Sequence, residues 1–306
     1  MSQSLLRTRW TTIVALVLLL HLFFHAGCGA SEQTASSEST ENDSAATLGE
    51  ALMFHAGFDD GWDAAFALGD RRLYSAGSYK EQQSATPGIT SLDPEIVYDV
   101  GRFQHALKFN KKNTRAIFYR AQDNVAYAET GWRGTVSFWL SLDPAQDLEP
   151  GFCDPIQITD SAYNDACIWV DFTEANPRQF RLGVFGDLAV WNPEDIPPAK
   201  NPTFTARLVA VEQPPFARSR WTHVAITHEG LGAGQGAARL YLDGNLQGAA
   251  SGIAEPFTWD VANAAIRLGV NYVGLFDELA IFNRPLTEDE IQTLHGLETG
   301  ASGLRP

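Results

Sequence analysis

Ile266-Arg-Leu-Gly-Val-Asn-Tyr-Val-Gly-Leu-Phe-Asp-Glu-Leu-Ala-Ile-Phe-Asn-Arg-Pro-Leu-Thr-Glu-Asp-Glu-Ile-Gln-Thr-Leu294 is the stretch whose reading decides the fold. Its period changes halfway. Two strand-like runs, the second from Leu275 to Phe282, mix apolar and polar positions as a half-buried strand does. After them Thr287-x-x-Glu290 spells a capping box, and Leu286 with Ile291 can close a hydrophobic staple around one short helix.

Upstream the same strand grammar repeats with almost no helical periodicity, so the pattern is all-β. In Gly134 to Leu140, Val136, Phe138 and Leu140 alternate with Thr135, Ser137 and Trp139. Ile168, Val170 and Phe172 alternate with Trp169 and Asp171; Phe180, Leu182 and Val184 alternate with Arg181, Gly183 and Phe185. Val224 and Ile226 alternate with His223, Ala225 and Thr227, and Leu240 and Leu242 with Arg239 and Tyr241. Asp243-Gly244-Asn245 supplies residues that tolerate positive φ and predicts a hairpin.

Four of these segments, in order, carry a resemblance. Gly101-Arg-Phe-Gln-His-Ala-Leu-Lys-Phe109, Thr135 to Leu140, Trp221-Thr-His-Val-Ala-Ile-Thr-His228 and Arg239-Leu-Tyr-Leu-Asp-Gly-Asn-Leu246 resemble successive strands of the laminin-G-like, concanavalin-A-like jelly rolls. With the C-terminal run they cover most of the chain. The resemblance implies two antiparallel sheets packed face to face as a jelly-roll sandwich, with one short C-terminal helix and the first and last strands side by side. Asp143 to Pro202 is longer than the pattern, and two pieces of it, Asp147 to Pro155 and Trp191 to Pro198, read as added loops, which tend to carry function.

The N-terminus is set apart from this. Arg7 and Arg9 precede an apolar run from Trp10 to Phe24 and a small-residue site, Ala26-Gly27-Cys28, which reads as a secretory signal over 1–27. The run is shorter than the roughly 20 residues of a membrane-spanning helix. Its end is similar to a bacterial lipobox, with His25 where that pattern prefers Leu, and Cys28 would be the lipidated residue. An ordinary signal peptide or an uncleaved anchor are the alternatives. Residues 28–50, mostly Ser, Thr, Glu, Asp, Asn and Ala, lack apolar area to offset backbone entropy and read as a disordered tether. The domain is expected over 51–298 and a flexible tail over 299–306. The expected location is the bacterial periplasm or cell surface, held to a membrane through the lipid alone.

Acidic residues outnumber basic ones by 37 to 22, a net charge of −15. Nucleic acid is excluded as a partner, since phosphate binding needs clustered Lys and Arg and nothing longer than Lys111-Lys112 or Arg71-Arg72 occurs. In an oxidising compartment Cys153 and Cys167 either bridge, closing Asp154 to Ala166 for about 3 kcal/mol, or stay as buried thiols.

Catalytic motifs are missing. The "E-x-D-x-x-E" strand of the related glucanases, which sets two carboxylates on one face, has no counterpart, nor do "G-x-S-x-G" and "H-E-x-x-H". The chain therefore reads as a non-catalytic module. The resemblance further implies a structural calcium where first and last strands meet, with Asp59, Asp60, Asp277 and Glu278 as ligands. The competing reading has Asp59 and Asp60 capping a turn and Glu278 pairing with Arg284.

If the apolar members of each strand face the sandwich core, Trp139, Trp169, Asp171, Arg181, Arg239 and Tyr241 point the other way. Such a face would suit a polysaccharide or glycoconjugate, with aromatic rings for the pyranose and charged groups for its hydroxyls. The competing reading has loops such as Trp191 to Pro198 bury these rings, with His223 and His228 as hydrogen-bonded scaffold. Three functions follow: a carbohydrate-binding or adhesion module; a protein-interaction or structural module of the envelope using Asp143 to Pro202; and a glycan hydrolase built from separate loops. Exposure of Trp139 and Trp169 separates the first two.

Overall fold

A computed structural model of the chain describes residues 46–304 apart from Leu92 and Thr114. The signal-like segment, Cys28 and most of the expected tether lie outside the described residues. Among those described, the strands run β1 (Leu52–Ala56), β2 (Phe66–Ala67), β3 (Leu73–Ala76), β4 (Thr86–Pro87), β5 (Glu95–Val97), β6 (Ala106–Phe109), β7 (Ala116–Arg120), β8 (Trp132–Ser141) and β9 (Cys153–Thr159). They continue with β10 (Cys167–Phe172), β11 (Phe180–Phe185), β12 (Val209–Val211), β13 (Thr222–Leu231), β14 (Gly236–Leu242), β15 (Asn245–Ile253), β16 (Ala265–Val270) and β17 (Gly274–Phe282).

They form two antiparallel sheets of a jelly-roll sandwich. The first has the order β15-β14-β13-β8-β17-β1-β2, with β5 and β6 extending from β17; the second runs β12-β11-β10-β9-β16-β7-β3-β4. First and last strands pair as expected, Leu52 opposite Phe282 and Ala56 opposite Leu279. The alternation places Val136, Phe138 and Leu140 of one sheet against Ile156, Ile168, Val170 and Leu182 of the other in a single buried core. Each such side chain contributes about 1.5–3 kcal/mol. Phe138 stacks on Phe276 at 5.1 Å and ties β8 to β17.

Strand β17 is buried on both faces, because the C-terminal helix Glu288–Gly296 lies on its outer side. That helix begins with the expected capping box, Thr287 and Glu290. Its Ile291 and Leu294 pack with Leu48, Leu52, Tyr241 and Leu286. The β14–β15 hairpin turns through Asp243 (φ 48°) and Gly244 (φ 77°), the left-handed pair that a two-residue hairpin requires.

Four expectations are corrected. The end of the expected tether is not free: residues 46–51 are helical and Leu48 is fully buried, since an apolar residue beside the helix finds a cluster to join. The expected flexible tail is folded from Gly300 to Leu304 as a 3-10 helix, with Ala301 and Leu304 buried in the same cluster. Cys153 and Cys167 are free thiols. They sit at opposite ends of the β9–β10 pair, Cys153 opposite Phe172 and Cys167 opposite Phe185 on β11, so the hairpin keeps them apart. The first half of the Gly101–Phe109 motif is a turn, because the amides of Arg102 and Phe103 turn inward to donate to Asp277.

Candidate functional site

The six aromatic and charged candidates do not share a face. Trp139, Arg239 and Tyr241 belong to the first sheet, whereas Trp169, Asp171 and Arg181 belong to the second, on the opposite outer side of the sandwich. Alternation within a strand sets inside against outside. Which sheet a strand joins is settled only by pairing.

Both faces are closed. Trp139, 5% exposed, is stacked under His295 of the C-terminal helix at 5.4 Å and rests on His223 at 4.9 Å, with the Arg102 guanidinium 4.6 Å from its ring. Burial pushes the His223 imidazole down to about 3. Tyr241 is buried beneath the same helix, and Arg239 is a surface partner of Glu229 at 2.9 Å. Trp169, 2% exposed, packs with Phe185 of β11 and with Trp191 and Phe204 of the connection that follows it, and donates its indole N–H to the Tyr163 carbonyl at 2.6 Å. Its ring lies flat over Gly183, where a Cβ would come within 2.2 Å of it. Trp191 is thus part of the lid over Trp169, as the competing reading expects.

Beside Trp169, Asp171 receives Arg181 Nε at 2.8 Å across the strand pair. The neighbouring Asp154 is buried, and burial together with the Asp171 carboxylate pushes its carboxyl up to about 8; Gln157 donates to it. This is an internal polar seam under loops rather than an open platform.

The carboxylates at the β1–β17 junction are engaged by hydrogen-bond donors. Asp277 Oδ2 accepts from Arg102 and Phe103 amides at 2.7 and 3.3 Å, and Oδ1 from the Glu278 amide at 2.7 Å. Glu278 bonds His55 Nε2 at 3.0 Å and accepts from the Ala301 amide at 2.7 Å; Arg284 pairs instead with Glu290. Asp59 accepts from the His105 amide at 3.0 Å, and Asp60 is exposed. Asp277, Glu278 and Asp59 thus each accept at least one main-chain N–H donor. Among the described residues no group of three His, Cys, Asp or Glu side chains is placed to hold a metal.

An open cleft lies elsewhere, at the end of the sandwich where β7 leaves and β16 enters. Of about 620 Å³, it is bounded by Met53 and Leu68, by the turn Ala121 to Tyr127 and by Trp259, Val261 and Ala264. Tyr127 stacks on Trp259 at 4.5 Å and 13°, and Trp132 meets both rings edge-on. The Tyr127 hydroxyl donates to the Phe257 carbonyl at 2.7 Å and accepts the Trp259 amide at 3.0 Å; the Trp259 indole donates to the Ala166 carbonyl at 2.6 Å. The aromatic pair is thereby locked before any ligand arrives, which lowers the ordering cost of binding.

The turn that carries Tyr127 is fixed by a buried asparagine. Asn124 accepts from the Gly69 amide at 2.9 Å and donates to the Asp70 and Arg120 carbonyls at 2.8 and 3.0 Å. Gly69 permits this approach, since a Cβ there would stand 2.3 Å from the Gln122 carbonyl. Gln122 and Asp123 (φ 61°) are left exposed at the rim. None of these cleft residues stood out in the sequence. Tyr127 and Trp259 lie outside the alternating strands, and the only signal was that each sits in a turn-rich connection.

Sheet order and strand pairing define the class: a two-sheet antiparallel jelly roll with an open cleft at one end. The chain belongs to the concanavalin A-like lectin/glucanases superfamily, whose family model matches residues 121–292, more than half of the sequence. Among solved structures it is similar to the botulinum neurotoxin serotype D ligand binding domain in complex with N-acetylneuraminic acid, at 10% identity and a TM-score of 0.51, covering 82% of this chain and 52% of that one. It is also similar to domain 4 of AbnA, an extracellular arabinanase of Geobacillus stearothermophilus in complex with arabinotriose, at 18% identity and a TM-score of 0.47, covering 79% of this chain and 97% of that one. The chain thus spans about half the length of the neurotoxin domain. No curated protein matches the sequence.

Proposed function

We propose that this chain is a non-catalytic saccharide-binding module of the bacterial cell envelope, tethered through a lipid at Cys28, and that its site is the cleft of Tyr127 and Trp259. One observation carries this: half-buried Tyr127, held flat against the buried Trp259, lines an open cleft of about 620 Å³, within the usual size of ligand sites, with exposed Gln122 and Asp123 at the rim. A pyranose offers an apolar face to Tyr127 and hydroxyls to Gln122 and Asp123. The lining supplies one carboxylate, where glycosidic hydrolysis ordinarily uses two, which favours binding without turnover. The buried Trp139 and Trp169 count against a sugar platform on either sheet face.

Titration calorimetry against a panel of oligosaccharides tests this. Gln122→Ala and Tyr127→Ala should each weaken binding about tenfold or more, the former with an unchanged melting temperature. No binding at millimolar ligand, or binding that both substitutions leave intact, would refute it.

A second reading has its own observation. Phe152, Tyr163 and Val190, at 46%, 42% and 54% exposed, all stand on connections between Asp143 and Pro202 that flank strands of the second sheet, as a protein-interaction surface of the envelope would have them. Serine at all three positions should then abolish partner capture and leave oligosaccharide binding unchanged.

A further inference from the structure

The cleft carries a charge pattern that bears on which saccharides it takes. Its lining contains no Lys, Arg or His, and Asp123 stands at its rim. Tyr127 lies in the field of further acids: burial raises its phenol above the ordinary value, and Glu129, Asp160 and Asp187 add to the rise. Two of these also build the wall behind Trp259. Asp187 accepts from the Thr258 amide at 2.7 Å and its hydroxyl at 2.6 Å, and Asp160 accepts from the Asp260 amide at 2.7 Å. The Asp160 carboxyl is itself raised, by burial first and then by Asp165 and Asp260.

Resting on the saccharide reading of this cleft, we propose that it selects uncharged saccharides and rejects glycans that carry a carboxylate or sulfate. An anionic sugar entering here meets no cationic partner for its charge, only the neutral Gln122 amide, and desolvating an anion without a cationic partner is costly. Here the acids set the opposite sign, and low-dielectric walls focus their field on the entering ligand. Neutral pyranoses lose nothing to that field and keep the stacking on Tyr127.

The test is calorimetry on the folded chain with neutral tetrasaccharides of cellulose, xylan, arabinan and lactosamine, set against tetragalacturonate and sialylated lactosamine. At least one neutral member should bind at least tenfold more tightly than either anionic probe. The gap should narrow in 0.5 M salt, and Glu129→Gln should strengthen anionic binding about twofold while leaving neutral binding unchanged. Equal or tighter binding of an anionic probe, lost in Tyr127→Ala, would overturn the charge selection and leave the saccharide site standing. So would a gap that responds to neither salt nor Glu129→Gln, since discrimination would then be steric. Binding of no probe at all would overturn both.

Discussion

The Ala301 amide donates to Glu278 Oε2 at 2.7 Å, joining the last turn of the chain to the bulge in β17. Glu278 adopts φ 54° there, in the left-handed region, and its other oxygen is held by His55 of β1. Three segments distant in sequence therefore meet at one buried carboxylate. A chain ending at Leu297 should lose about 2–4 kcal/mol, from the exposed Leu304 contact and the unpaired carboxylate. Urea unfolding reads this directly, and an unchanged midpoint would show the C-terminal turn to be dispensable.

Asp154 gives the fold a pH dependence of known sign. Its carboxyl is raised from 3.8 to about 8 by burial and by Asp171, so the native state holds a proton that the unfolded chain has released. That contribution is full below about pH 4 and is lost as pH rises to about 8. Asp154→Asn keeps an acceptor for Gln157 and should be more stable than the parent by several kcal/mol at pH 8, with the difference gone at pH 4. Equal thermal midpoints at pH 8 would contradict the assignment.

The two thiols make a redox prediction. Burial pushes Cys153 up to about 11 and raises Cys167 as well, so both are poor nucleophiles. Dithiothreitol should leave the melting temperature unchanged, and denatured protein should titrate with two thiols from this pair. A reductant-dependent midpoint would restore the disulfide.

Trp139 should behave as core. Trp139→Ala removes the contacts with His295, His223 and Arg102 and should cost about 3–5 kcal/mol. Oligosaccharide affinity measured well below the new midpoint should stay within twofold of the parent. A selective loss of affinity would return the site to the sheet face.

Asn124→Ala tests whether the turn Ala121 to Tyr127 must be held for binding. It leaves the Gly69 amide and two carbonyls without their partner, at about 2–3 kcal/mol. The freed turn should weaken oligosaccharide binding severalfold while Tyr127 and Trp259 remain stacked, detectable as unchanged near-ultraviolet dichroism alongside the altered affinity.

Much of the architecture was legible because period-two alternation is a local property. Val136, Phe138 and Leu140 had to face one way whatever their partners, and Thr287 with Glu290 encoded a helix start within four residues. The pairing of β1 with β17 followed from resemblance rather than from alternation. The site was not legible for the converse reason. Trp139 and Trp169 share a sequence pattern, yet one is roofed by the C-terminal helix and the other by the loop around Trp191. Tyr127 and Trp259, far apart in the chain, had no periodicity to mark them and become a stacked pair only when the β7 and β16 connections meet.

By itself the sequence determined the all-β class, its inward-facing residues, the β14–β15 hairpin and the final helix, since each follows from spacing within about ten residues, and the sandwich followed from the resemblance. Tertiary structure decided which sheet each strand joined, which aromatics were covered, that the acids of β17 were satisfied by main-chain amides, and where a cleft stayed open. Those outcomes depend on contacts between distant segments, whose free energies compete and are settled only when the two sheets close on each other.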